Sequence, residues 1–144
     1  MTTASADGRY DVLAAACPTR QIVFRLGEKW TLLVLYALAT QPFRFRELQP
    51  AVEGISQRML TQTLRSLERD GLVNRSVAAT VPPQVTYTLT PLGESLANAI
   101  THIRTWAYGH INAVESARAD YDAIRAPERY RSTIARNHSN VCSK

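Results

Sequence analysis

The sequence predicts a mainly α-helical domain of the α+β class with one small β-hairpin, on three observations. Apolar residues recur at helical spacing through most of the chain from Pro18 to Ile124. One stretch, Val73 to Leu89, switches instead to period-two alternation around Pro82-Pro83. The 144 residues, 45% hydrophobic and 20% charged, suit a single soluble domain with extensions, which excludes wholesale disorder. The longest apolar stretch, Thr31 to Thr40, is half of the roughly 20 residues that a membrane span needs.

The elements follow in order. Met1 to Gly8 is small and polar and is expected to fray. Cys17-Pro18-Thr19 opens a helix, because Pro suits the first helical position, where no amide donor is needed. Ile22, Val23 and Leu26 give that helix an apolar face, and Gly27 ends it. Lys29 to Ala39 is almost continuously apolar, the profile of a helix buried on most sides, and Pro42 stops it. Phe45, Leu48 and Val52 carry the spacing through a short third helix that Glu53-Gly54 breaks.

Ser56 then N-caps a helix running to Asp70, with Gly71 in the left-handed position past its end. Leu67 and Leu72 stand where a Schellman cap places its apolar contact. Val73–Val77 and Val85–Leu89 read as strands, with Pro82-Pro83 at the hairpin tip because Pro cannot sit in a central ladder. Thr90-Pro91 starts another helix, whose stripe runs Leu92, Leu96, Ala99, Ile100, Ile103 and Ala107. After Gly109 a second stripe, Ile111, Val114, Ala117, Tyr121 and Ile124, continues to Pro127. Helix, helix, turn, helix, hairpin, long helix is the order of a winged helix-turn-helix domain with a helical extension.

The segment from Ser56 to Asp70 has two distinct sides. At about 100° per residue, Met59, Leu60, Thr63, Leu64 and Leu67 fall together on one of them. Arg58, Thr61, Gln62, Arg65 and Arg69 occupy an arc of roughly 100° on the other, with Glu68 and Asp70 outside it. Arg bonds guanine through two donors, Gln pairs similarly with adenine, and Thr meets a thymine methyl. The helix opens with Ser56-Gln57-Arg58, and the first residues of a recognition helix reach base edges. An ordinary solvated face would mix Glu with Lys; this one holds three guanidiniums and no acid. Arg44 and Arg46 flank Phe45 and are expected to hold phosphates, although ordinary surface arginines would look the same. Arg75, Thr80 and Gln84 are the hairpin residues placed to enter a neighbouring minor groove.

Net charge is +5, which favours an anionic partner without identifying it. Most of it lies in the tail, where Arg125, Arg129, Arg131, Arg136 and Lys144 face Glu128 alone. Two cysteines, Cys17 and Cys142, make neither a disulfide framework nor a metal site, so a reducing compartment is expected. Leu13-Ala14-Ala15-Ala16-Cys17 looks like a lipoprotein cleavage box, but Asp7, Arg9 and Asp11 interrupt the apolar run a leader requires. The expected location is cytoplasmic. Catalysis has little support: His102, His110 and His138 lie far from Cys17 in sequence, and no phosphate loop, zinc spacing or carboxylate pair is present. No cofactor or metal is expected.

Taken together, Gly27 to Leu35, Arg44 to Leu48, Gly54 to Thr61, Leu64 to Val73 and Val81 to Gly93 resemble the HxlR-type (MarR-like) bacterial transcription regulators. Gly27-Glu28-Lys29-Trp30-Thr31-Leu32-Leu33-Val34-Leu35 is similar to that family's G-x-K-W-x-x-x-I-L run. Arg44-Phe45-Arg46-Glu47-Leu48, Gly54 to Thr61, Leu64 to Val73 and Val81 to Gly93 follow in the family's order. The resemblance spans about Cys17 to Ile124, including Trp106 and the Ala117–Asp122 segment. It implies a cytoplasmic homodimer that binds palindromic operators and dimerises through its N- and C-terminal helices. The stripes after Leu92 would then be dimer surface. It also implies a sensing role for Cys17, since several members respond to quinones, aldehydes or oxidants through a cysteine near the N-terminus. A thiol at a helix N-cap has a lowered pKa, and Arg20 would add to the effect. A small buried filler is the competing reading.

The expected organisation is an arm (1–16), a winged helix-turn-helix domain (17–90), dimerisation helices (91–125) and a basic tail (126–144). The expected function is a homodimeric, sequence-specific DNA-binding regulator, a repressor, switched by oxidation or alkylation of Cys17. Two alternatives stay open: control by a small ligand in the dimer cleft, or a winged helix used only to bind protein.

Overall fold

The computed structural model describes residues 10–125. The expectations for the Met1–Gly8 arm, the 126–144 tail and Cys142 lie outside them. The elements run α1 (Pro18–Gly27), α2 (Thr31–Thr40), β1 (Phe43–Arg44), α3 (Phe45–Ala51), α4 (Gln57–Arg69), β2 (Val73–Ala78), β3 (Gln84–Leu89) and α5 (Pro91–Arg125). The chain divides into two units, Met1–Thr101 and His102–Lys144. No described helix is long and apolar enough to cross a membrane.

The first unit has one core. Val34, Leu35 and Leu38 from α2, Leu48 and Val52 from the α3 end, and Leu60, Leu64 and Leu67 from α4 meet Leu72, Val73, Tyr87 and Ile100. The continuous apolar run of α2 is there because the helix is covered on most of its circumference, with Leu33 open on its side and Ala39 and Thr40 open at its end. By contrast α1 buries no residue, and Ile22, Val23 and Phe24 all face solvent.

The punctuation of α4 acts as expected. Ser56 Oγ accepts from the Met59 amide at 3.1 Å, satisfying one orphan donor of the first turn. At the other end Gly71 has φ +73°, and its amide donates to the Glu68 carbonyl at 3.0 Å. The Leu72 amide donates to Leu67 O at 2.9 Å, completing a Schellman cap between two buried leucines. Met59 departs from the expectation. Although placed with the buried side by the 3.6-residue period, it is 37% exposed at the edge of that face.

The sheet holds one strand more than the hairpin alone, in the order β1-β3-β2 and antiparallel throughout. Phe43 pairs with Tyr87 and Arg44 with Thr86, a two-residue strand too short to leave a periodic signal. The hairpin pairs Val73 with Leu89 through to Ala78 with Gln84. Beyond Val73 every β2 residue is exposed, so this strand leaves the core and forms a wing.

Thr90 joins the wing to α5. Its hydroxyl accepts from the Gly93 amide at 3.0 Å and donates to Gly71 O at 2.6 Å. A Cβ on Gly93 would collide with the Leu72 carbonyl, so glycine is required by close approach of the backbones. The two stripes separated by Gly109 in the sequence lie on one uninterrupted helix. An interior Gly costs about 1 kcal/mol relative to Ala, too little to break a helix of this length. Within the second unit Trp106 stacks on His110 at 4.9 Å, and His110 Nδ1 donates to the Trp106 carbonyl at 2.8 Å. Ile103, Trp106, Tyr108, Ile111, Tyr121 and Ile124 are exposed.

Candidate nucleic-acid interface

The turn between α3 and α4 sets the site. Val52 and Ile55 anchor it in the core, and Gly54 reverses the chain at φ +89°. The cap at Ser56 then fixes the phase of α4. Leu60, Thr63, Leu64 and Leu67 turn inward and the opposite side is left open.

Gln57, Arg58, Thr61, Gln62, Arg65 and Arg69 share one surface concavity with Ser56 and Ser66. All six of those expected residues therefore lie together, and Thr61 alone is half-buried. Its hydroxyl donates to Gln57 O at 2.9 Å, so towards a base it offers an acceptor oxygen and a methyl. No carboxylate lines the concavity, and Glu68 lies off it, as the wheel places it. Ser66 was not singled out in the sequence. It sits one step beyond Gln62 on the wheel, and a wider arc would have included it.

The flanking residues are also open. Arg44 lies on β1 next to β3, and its backbone amide donates to Glu47 Oε2 at 3.0 Å, which holds the start of α3. Arg44 and Arg46 are exposed on either side of Phe45, which packs against the core as expected. On the wing, Arg75 pairs with Tyr87 across the strands and is exposed. Thr80 is at the tip, where its hydroxyl donates to the Pro82 carbonyl at 2.9 Å. Gln84 is half-buried at the start of β3, and Val81, next to Thr80 at the tip, is fully open.

Cys17 is the N-cap of α1 and is buried, with only 8% of its surface exposed. Its Sγ lies 2.9 Å from Thr19 Oγ1. That bond holds the thiol pKa below its ordinary value, against burial and with smaller help from the backbone of Thr19 and Arg20. The expectation that the Arg20 side chain contributes is not met. Its guanidinium donates to the Leu13 carbonyl at 3.2 Å and stands over the Phe24 ring. Among the described residues no group of three or more His, Cys, Asp or Glu is placed to hold a metal ion.

Sequence reasoning also missed an ion pair. Arg25 Nε donates to Asp70 Oδ2 at 2.9 Å, joining the last turn of α1 to the C-cap of α4. A signal was present, since an acid at a helix C-terminus opposes the macrodipole and calls for a nearby cation.

The likeness to known proteins agrees with this geometry. A family model described as HxlR-like helix-turn-helix matches residues 25–115. The HTH-type transcriptional regulator YtfH of Escherichia coli (strain K12) is 38% identical over 96 residues, 67% of this chain and 76% of that one. The structure of the transcriptional regulator ytfH from Salmonella typhimurium superposes with a TM-score of 0.70 at 35% identity, covering 76% of this chain and 97% of that one. The redox regulator HypR in its reduced form gives a TM-score of 0.64 at 35% identity, over 69% of this chain and 98% of its own. HypR has also been solved in an oxidised form. A winged helix whose open helix face carries Arg and Gln, matched along most of its length by transcriptional regulators, places the chain in the HxlR-like helix-turn-helix family, as a DNA-binding transcriptional regulator and not an enzyme.

Proposed function

We propose that this regulator acts in the cytoplasm as a homodimeric repressor on a palindromic operator. Two copies of α4 enter successive major grooves about 34 Å apart. The observation that carries this reading is the outer face of α4, with its three guanidiniums, two amides and no carboxylate. Gln57, Arg58, Thr61, Gln62, Arg65 and Arg69 meet base edges. Arg44 and Arg46 hold phosphates, and Arg75, Thr80 and Gln84 bring the wing to the neighbouring minor groove. The exposed apolar residues of α1 and α5 form the dimer surface, and repression follows from occupying promoter DNA.

We further propose that Cys17 makes this a thiol-switched repressor, responsive to oxidants or to electrophiles such as quinones and aldehydes. Its support is the lowered thiol pKa at the start of α1, together with a similar protein, HypR, known in reduced and oxidised forms. The test is binding to DNA upstream of the chain's own gene, with and without diamide. Tight binding lost on diamide and restored by a reductant is expected, with Cys17→Ala indifferent. Binding unaffected by diamide would discard the switch, and binding to no fragment would discard the operator reading.

A further inference from the structure

The end of the recognition helix is held from two sides, by α1 and by the residue that leads into α5. From α1, Arg25 reaches Asp70 at 2.9 Å through Nε and Glu28 Oε1 at 2.7 Å through Nη1. The Arg25 and Asp70 side chains are only 23% and 20% exposed, so water screens this bond less than the Glu28 arm. Just before α5, Thr90 donates its hydroxyl to Gly71 O at 2.6 Å and its amide to Leu72 O at 3.1 Å. Both ties end on three consecutive residues, Asp70, Gly71 and Leu72.

Capping alone does not explain Asp70. The amides of Gly71 and Leu72 already pair with the Glu68 and Leu67 carbonyls in the last turn of α4, and a carboxylate at a helix C-terminus is unfavourable by itself. Arg25 reverses that sign. Its guanidinium is held charged even more firmly than usual, chiefly by the bond to Asp70. No residue of α1 is fully buried, and Leu26 alone of its apolar residues packs part-buried against the core, so the Arg25–Asp70 bridge is a polar tie from α1 to α4 beside that contact.

We propose that Arg25 is a positioning residue: through Asp70 it fixes α4 against the dimer helix α1, and so sets the half-site spacing that the dimer accepts. The proposal rests on the reading of a homodimer on a palindrome. Arg25 acts through Asp70 and not by touching DNA, which yields a discriminating sign. Removing the acid by Asp70→Asn makes the surface more positive, so charge alone predicts tighter binding. Positioning predicts weaker operator binding and a looser demand on spacing.

The probe is the palindromic duplex that the wild-type chain enriches from a randomised library, along with versions gaining or losing one base pair at the dyad. Wild type is expected to bind the altered spacings about 100-fold more weakly, in the range a specific site loses on mismatch. Arg25→Gln and Asp70→Asn are expected to shrink that penalty to about tenfold or less while keeping the folded dimer, with a melting temperature lowered by only a few degrees. Glu28→Gln, which breaks only the exposed arm, keeps the full penalty. If Arg25→Gln fails to fold, the pair Arg25→Asp with Asp70→Arg carries the test: a full penalty supports the proposal and a relaxed one overturns it. An unchanged penalty in both Arg25→Gln and Asp70→Asn would overturn it too. No enriched palindrome with wild type would remove the operator reading, and this proposal with it.

Discussion

Two helices of the first unit, α4 and α1, each turn a broad face to water, and the two faces are opposite in kind. The open side of α4 holds Arg58, Arg65, Arg69, Gln57 and Gln62, groups that water solvates well. The open side of α1 holds Ile22, Val23 and Phe24, the last 61% exposed, groups that water does not. The charged face is stable alone and gains a partner by releasing counterions from a polyanion. The apolar face gains only by being covered, at about 25 cal/mol per Å² of apolar surface removed from water. Exposure thus fits DNA in one case and, on the homodimer proposed above, a second copy of the chain in the other.

That contrast breaks first, and most heavily, at the inner side of α4. Leu64→Ala leaves a cavity in the shared core and is expected to cost about 2–5 kcal/mol of folding stability, read by denaturant unfolding. A cost as small as that of a surface substitution would mean that α4 does not pack as described. Next is Phe24→Asp on α1, which should leave each monomer folded and weaken the dimer by about 2–4 kcal/mol, the scale of an interface hot spot. Sedimentation at several concentrations reads it, and an unshifted dimer would move the interface away from α1.

The smallest effect lies at the start of α1. Thiolate is the reactive form, so a pKa held down by Thr19 keeps Cys17 reactive to lower pH. In a Cys142→Ser background, the alkylation rate of Thr19→Val should therefore fall off at higher pH than that of the parent. Superimposable pH profiles would show that Thr19 does not tune the thiol.

The α4 face was readable because one strong period, a Ser cap and a Gly71 stop fixed its phase within a few residues. Met59 escaped because the period assigns a side but not the edge where burial ends. The β1 strand escaped because two residues carry no alternation. Gly109 marked a boundary between stripes, yet the helix runs through it, since its local cost is small beside the whole of α5. The Arg25–Asp70 bridge joins residues 45 apart in sequence, and spacing within one element carries no information about such a pair. Around Cys17 the position was legible but the partner was not: a hydroxyl two residues on, rather than Arg20, holds the thiol.

The central claim is that the outer face of α4 reads bases, and a comparison of Arg65→Ala with Arg44→Ala tests it most directly. Binding is measured to the enriched palindrome and to a random duplex of equal length, over a range of salt. Arg65→Ala is predicted to lose about 1–3 kcal/mol on the palindrome and much less on random DNA. Arg44→Ala is predicted to weaken both alike and to flatten the salt slope by about one unit. Equal losses on the two duplexes for Arg65→Ala would contradict the claim, reducing α4 to a sequence-blind cationic surface.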